Sequence, residues 1–158
     1  MKTFKSCLFL ALACIAAARS IAGEGDIYPA PAAAQADIAA ALHSAAIQHK
    51  RVILDFGGNW CPDCRALDIY FHDAANKALL EANFVLVHVN IGRVDQNLDI
   101  AEHYDIPIKK GVPALAVVAP DGTVIHSQKA GEFESMRHMQ IADVTGFLEQ
   151  WKPPAGAG

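Results

Sequence analysis

The sequence predicts an α/β fold with a central mixed sheet of about four strands flanked by helices. Three observations predict it. Short apolar β-branched runs, Val52-Ile53-Leu54 and Phe84 to Asn90, alternate with stretches of helical period, which implies parallel pairing. Two later apolar runs flank Pro120-Asp121-Gly122, a turn signal that makes the last two strands an antiparallel hairpin. Between the first run and the next helical stretch lie two cysteines, in Phe56-Gly57-Gly58-Asn59-Trp60-Cys61-Pro62-Asp63-Cys64-Arg65.

The chain opens on Lys2 and Lys5, followed by Cys7 to Ala18. That apolar run has secretory length and is too short for a comfortable membrane span. Ser20-Ile21-Ala22 offers small residues for cleavage before Gly23. Residues 1–22 are therefore expected to be a signal peptide. An anchor helix and lipid attachment at Cys14 are the other readings, although Ala11 stands where a lipid-attachment site usually has a large apolar residue.

Residues 23–36 form a Pro/Ala-rich lead, expected to be extended and flexible. A domain over 37–152 follows. Asp37 can cap a helix over Ile38–His49, where Ile38, Leu42 and Ala45 recur at helical spacing. Arg51–Phe56 reads as a buried central strand. The helix after the cysteines has Leu67, Tyr70 and Phe71 on one side. His72-Asp73 breaks it ahead of a second piece, Ala74–Ala82. Phe84–Asn90 is another buried strand, Gly92–Asn97 a loop and Leu98–Tyr104 a short helix. Ala114–Ala119 and Thr123–Ser127 make the hairpin. A last helix is expected over Arg137–Trp151, with Ile141, Val144, Phe147, Leu148 and Trp151 on its apolar face. Residues 153–158 are expected to be a disordered tail.

Charge and cysteine count narrow the function. Losing Lys2, Lys5 and Arg19 with a signal peptide takes 13 basic residues to 10, against 17 acidic ones, a net charge of −7. That argues against a nucleic-acid surface. Of four cysteines, Cys7 and Cys14 would also leave, and Cys61 and Cys64 would remain. A bridge over so short a loop constrains the unfolded chain little, so reactivity explains the pair better than stability does. Cys61 falls at a helix N-terminus, where free N–H groups and the macrodipole favour an anion. The thiolate is such an anion, and it is the form that attacks disulfides. Cys64 lies one turn on and on the same face. Pro62 suits the first helical position, where an N–H has no helical partner.

Trp60-Cys61-Pro62-Asp63-Cys64 after a strand, Asp55 six residues before Cys61, and the distant Val112-Pro113 resemble the thioredoxin superfamily. The likeness runs from about Val52 to the end of the chain and implies a thioredoxin-like fold. It implies that Cys61 is the exposed nucleophile, Cys64 the buried resolving thiol, Asp55 the buried acid and Pro113 a cis proline facing the cysteines. Three features depart from the superfamily pattern. Ala114 follows the proline where thioredoxins usually have Thr, Ile106 to Gly111 is lengthened, and a further N-terminal strand could come only from Asp26-Ile27-Tyr28.

Each site residue has two readings. Asp55 takes the Cys64 proton during exchange, or is a strand-end acid reaching water. Trp60 is a flat apolar wall for docking substrates, together with Pro62, Val112 and Pro113, or it packs in the core. Pro113 is cis, or a trans residue starting an edge strand. His88 falls where thioredoxins often have a buried lysine; it tunes Asp55, or is a half-buried strand histidine. Lys109 and Lys110 form a basic rim or are solvated loop residues. Asp63 tunes the redox chemistry, because its charge stands within one turn of both sulfurs and repels a thiolate. Arg65 opposes that charge, from a side chain free to point to water.

The sequence thus leads to an exported thiol–disulfide oxidoreductase of a bacterial periplasm. The expected molecule is a monomer that needs no organic cofactor or metal. Its partners would be disulfide-containing or thiol proteins and a redox protein that regenerates the dithiol. The expected direction is that of a reductant or isomerase-type donor. Delivery of a metal through the same two thiolates, and service to cytochrome c maturation, are the alternatives.

Overall fold

The computed structural model describes residues 25–155. The expected signal peptide, Cys7, Cys14 and the end of the expected tail, 156–158, lie outside the described residues. Helix α1 is Ala34–Gln48, strand β1 Arg51–Gly57, α2 Pro62–Phe71, α3 Ala74–Asn83 and β2 Phe84–Asn90. Helix α4 is Leu98–His103, β3 Ala114–Val118, β4 Val124–Ser127 and α5 Ile141–Trp151.

The sheet order is β2-β1-β3-β4. Strands β1 and β2 run parallel, with Asp55 opposite His88, while β1–β3 and β3–β4 are antiparallel. Alternation along β1 feeds two cores. Val52, Leu54 and Phe56 pack with Ile38, Ala41 and Ala45 of α1 and Ile100 of α4. Ile53, Leu115 and Val117 pack on the other face with Leu67 and Phe71 of α2 and Val144, Phe147 and Leu148 of α5. Fully burying one such side chain contributes about 1.5–3 kcal/mol, so this two-sided sandwich fixes β1 as the rigid centre on which the cysteine turn is mounted.

Three expectations need correction. Helix α1 starts at Ala34, four residues before Ile38, because a 3-10 turn at Pro31–Ala33 leads straight into it. Asp37 therefore lies in the first turn, where its charge suits the helix N-terminus, and is not the cap. The described part of the lead is packed, not free: Tyr28 is buried, and side chains of Asn59, Asn90 and Asn97 bond the backbone of Ile27 to Pro31. Finally, α5 begins at Ile141, where Asp143 accepts the Gln140 N–H at 2.8 Å. Met136–His138 forms a separate 3-10 turn ahead of it.

Candidate active site

Gly57 and Gly58 lead from β1 toward α2, neither with a positive φ, and what they supply is room for close neighbours. Gly57 has no room for a side chain, since an added Cβ would stand 2.5 Å from Tyr28 Oη and 2.7 Å from Cys64 Sγ. Cys61 is the N-cap of α2, and its sulfur accepts the Cys64 N–H at 3.1 Å. The sulfur thus occupies the place where a capping side chain normally satisfies an orphan amide of the first turn. Pro62 is exposed at the first helical position. Cys61 and Cys64 are joined as a disulfide, with Cα atoms 5.3 Å apart. Both are buried, Cys64 completely and Cys61 to within 3%, so in the disulfide form Cys61 is not the exposed thiol that the resemblance implied.

The remaining residues expected at the site stand around this pair. The Val112–Pro113 peptide bond is cis, and the Val112 carbonyl oxygen lies 3.6 Å from Cys61 Sγ. Pro113 is buried and Val112 half-buried. Trp60 is 42% exposed, and its indole N–H donates to the Gly92 carbonyl. That bond fixes the ring as an open apolar surface beside the cysteines. Lys109 and Lys110 are exposed on a 3-10 turn, Ile108–Lys110, three residues before Pro113.

Asp55 is fully buried. Its Oδ2 accepts the Tyr28 hydroxyl at 2.7 Å and a contact from His88 Nδ1 at 2.9 Å. Among the described residues, Oδ1 has no partner. A buried carboxylate with an unused oxygen is costly, and it keeps acceptor capacity for a proton. His88 Nε2 faces Asp68 at 3.7 Å. Burial pulls the His88 pKa down, but the hydrogen bond and charge of Asp55, joined by Asp68, outweigh it and raise it above the ordinary value. Burial, then the charge and hydrogen bond of Asp55, hold the Tyr28 hydroxyl well above its usual pKa.

Asp63 does not face water. Its Oδ1 accepts the backbone N–H of Arg137 at 2.9 Å and the Arg137 Nε–H at 3.1 Å. Burial pushes its pKa up, but these two bonds and the guanidinium charge win, and the carboxyl lies below the ordinary carboxylate range. Arg137, not Arg65, is therefore its counter-ion. Arg65 instead reaches back over the turn, donating to the carbonyls of Asn59 at 3.1 Å and Gly25 at 3.3 Å.

Three residues at the site were not singled out from the sequence. Tyr28 touches Asp55, Asn59 pins Tyr28, and Arg137 pairs with Asp63. The one signal for Tyr28 was Ile27-Tyr28, a bulky apolar pair in a lead of small residues.

The family described as thioredoxin-like matches residues 33–120. A solved structure titled disulphide isomerase, from Xylella fastidiosa Temecula1, is 37% identical with a TM-score of 0.71, over 74% of this chain and 89% of that one. A thioredoxin from Thermus thermophilus shares the fold at 22% identity, TM-score 0.53, over 78% of this chain and 83% of that one. Among curated proteins, the thiol:disulfide interchange protein DsbD of Pseudomonas fluorescens is 26% identical over 119 residues, 73% of this chain. The chain spans only 18% of that protein's length. A family match over more than half the chain, a shared four-stranded mixed sheet and a Cys-Xaa-Xaa-Cys pair at its strand-to-helix turn place this chain in the thioredoxin-like family of the thioredoxin superfamily.

Proposed function

We propose that this thioredoxin-like thiol–disulfide oxidoreductase serves exported proteins of a bacterial periplasm as a reductant or isomerase-type donor. The observation that carries the reading is the Cys61–Cys64 pair at the N-terminus of α2, with Cys61 Sγ placed on the Cys64 amide and beside the Val112 carbonyl. An amide donor and the helix dipole favour the Cys61 thiolate, and a reversible disulfide one turn long is the means of exchange.

In the reductive direction the Cys61 thiolate attacks a substrate disulfide and a mixed disulfide forms. One substrate sulfur leaves as a thiolate. Cys64 gives up its proton toward Asp55 and attacks Cys61 Sγ. The second substrate thiolate departs, and the protein is left oxidised. Trp60, Pro62, Val112 and Pro113 line the face where an extended substrate segment would lie. A redox protein that returns two electrons to the pair completes the cycle. The bacterial relatives titled disulphide isomerase and thiol:disulfide interchange protein support disulfide exchange on protein substrates, and the first title is in keeping with an isomerase-type donor. Asp63 supports the direction too, although Arg137 offsets part of its charge.

Two measurements test the proposal. Cys64→Ser should accumulate mixed disulfides on Cys61 in a periplasmic extract, and Cys61→Ser should give none. Equilibration with glutathione, read by Trp60 fluorescence, should give a potential nearer the about −270 mV of thioredoxin than the about −120 mV of a strong oxidant. A value above about −150 mV would sink the reductant reading while leaving the exchange chemistry intact.

A further inference from the structure

Asp55 and Gly57 stand two residues apart on β1 and so share a face of the sheet. Tyr28 lies across both. Its hydroxyl donates to Asp55 Oδ2 at 2.7 Å, and the same oxygen and Cys64 Sγ both border Gly57, at 2.5 and 2.7 Å from the place a Cβ would occupy there. Tyr28, Cys61 and Cys64 form one buried cluster with Ile27 and Val112 packed against it. Asp55 Oδ2 is hydrogen-bonded to one member of that cluster, Tyr28, and to His88 outside it.

The tyrosine is placed with unusual care for a residue ahead of the first helix. Asn59 Oδ1 accepts the N–H groups of both Ile27 and Tyr28 at 2.9 Å, and Asn59 Nδ2 donates to the Tyr28 carbonyl at 2.9 Å. Asn59 itself lies two residues before Cys61, so the turn that presents the nucleophile also holds the tyrosine. The His88 ring closes the other side, edge to face with Tyr28 at 5.0 Å. The charged or titratable groups around the hydroxyl are Asp55 on β1, His88 on β2, and Asp68 and Cys64 on α2.

We propose that the Tyr28 hydroxyl relays the proton from Cys64 to Asp55 when the mixed disulfide is resolved. The proposal rests on the reading of Cys64 as the resolving thiol and Asp55 as its proton acceptor, and it names the group through which they communicate. The Cys64 S–H bond breaks and its proton passes to Tyr28 Oη. In the same step the tyrosine O–H proton passes to Asp55 Oδ2, so the phenol is neutral before and after. The Cys64 sulfur forms its bond to Cys61 Sγ, the bond from Cys61 to the substrate sulfur breaks, and its electron pair leaves as the substrate thiolate. The pair is oxidised and the substrate reduced. A tyrosine whose pKa stands well above the ordinary value suits this task, because it stays protonated and can only exchange protons, not store a charge.

The test uses the full protein and dithiobis-nitrobenzoate as the substrate disulfide. Reduced protein releases thionitrobenzoate first when Cys61 attacks and again when Cys64 resolves, so the two steps are read separately. Tyr28→Phe should leave the first release unchanged and slow the second roughly a hundredfold near neutral pH, the low end of what a positioned proton-transfer group contributes. Asp55→Asn should slow the same phase, and the double variant should be no slower than the slower single one. A second release that is slowed by Asp55→Asn but untouched by Tyr28→Phe overturns the relay and leaves Asp55 in place. If neither substitution slows it, the Asp55 reading and the relay both fall. The unmodified protein supplies an independent check, whether or not the phenylalanine variant folds. In mixtures of light and heavy water its second release should depend on deuterium content along a curve, as two protons in flight require. A straight line, for one proton, overturns the relay.

Discussion

Asp63 and Arg137, 74 residues apart in sequence, are joined by two hydrogen bonds to one carboxylate oxygen. The carboxylate belongs to the dipeptide between the cysteines, and the arginine to the 3-10 turn before α5. A positive charge delivered from the far end of the chain therefore balances the acid that lies between the two cysteines in sequence.

Arg137→Gln should make the pair more reducing. The uncompensated Asp63 charge would repel a Cys61 thiolate, destabilise the reduced form and lower the potential. The Arg137 side chain is 56% exposed, so solvent screens the effect and it should be modest. An exposed pair contributes up to about 1 kcal/mol, equivalent to about 20 mV for this two-electron couple. Glutathione equilibration at low salt measures it, and added salt should shrink the difference.

Asn59→Ala should loosen the lead without displacing the cysteine turn. Three hydrogen bonds to Ile27 and Tyr28 would be lost, at a cost of about 2 kcal/mol in stability. Hydrogen exchange should show the Ile27 and Tyr28 amides losing protection while the β1 amides keep theirs.

Gly57→Ala should be costly despite its small size. The new methyl would meet Tyr28 Oη and Cys64 Sγ, both held in the core, so overpacking of about 1–3 kcal/mol is expected. Urea unfolding of the oxidised protein would report it as a lower midpoint with an unchanged slope.

The His88–Asp55 contact predicts a pH dependence. The folded-state pKa of His88 is raised, so its charged form stabilises the fold. That contribution is complete below the unfolded value of about 6.5 and is lost as pH rises through the raised folded value. Wild type should therefore exceed His88→Gln by about 1–2 kcal/mol in mildly acidic solution, and the gap should close on going alkaline. Thermal melts of both proteins across that range test it, and a gap that widens with pH would overturn the assignment.

The parts of this molecule legible in the sequence are those governed by local pattern. Strand β2 is expected and found at Phe84–Asn90, because a β-branched run between polar neighbours has few alternatives. The break at His72-Asp73 is equally local: Asp73 caps α3 by accepting the Ala75 N–H at 3.0 Å. The two cysteines stand out because their spacing carries the chemistry. What surrounds them is not local. Tyr28 meets Asp55 across 27 residues and Arg137 meets Asp63 across 74, and no periodicity announces either contact. Helix α1 starts ahead of Asp37 for a related reason. Asp37 is a good cap in isolation, but the turn at Pro31 nucleates the helix earlier. Asp63 illustrates the converse: its position in the dipeptide was plain, while its partner could come only from the fold.

The clip between Asn59 and the lead also sets an order of assembly. Residues 25–30 have no helix or strand of their own, so nothing orders them until β1 and the turn into α2 are in place to receive them. Closing a loop of some thirty residues is an entropic cost recovered only when Asn59 and Asp55 are both positioned. A chain whose lead has not docked can already hold Cys61 at the N-terminus of α2, but its Asp55 lacks the Tyr28 hydrogen bond. The surroundings of Asp55 are thus expected to be completed last, after the sheet and the cysteine turn that the lead docks against.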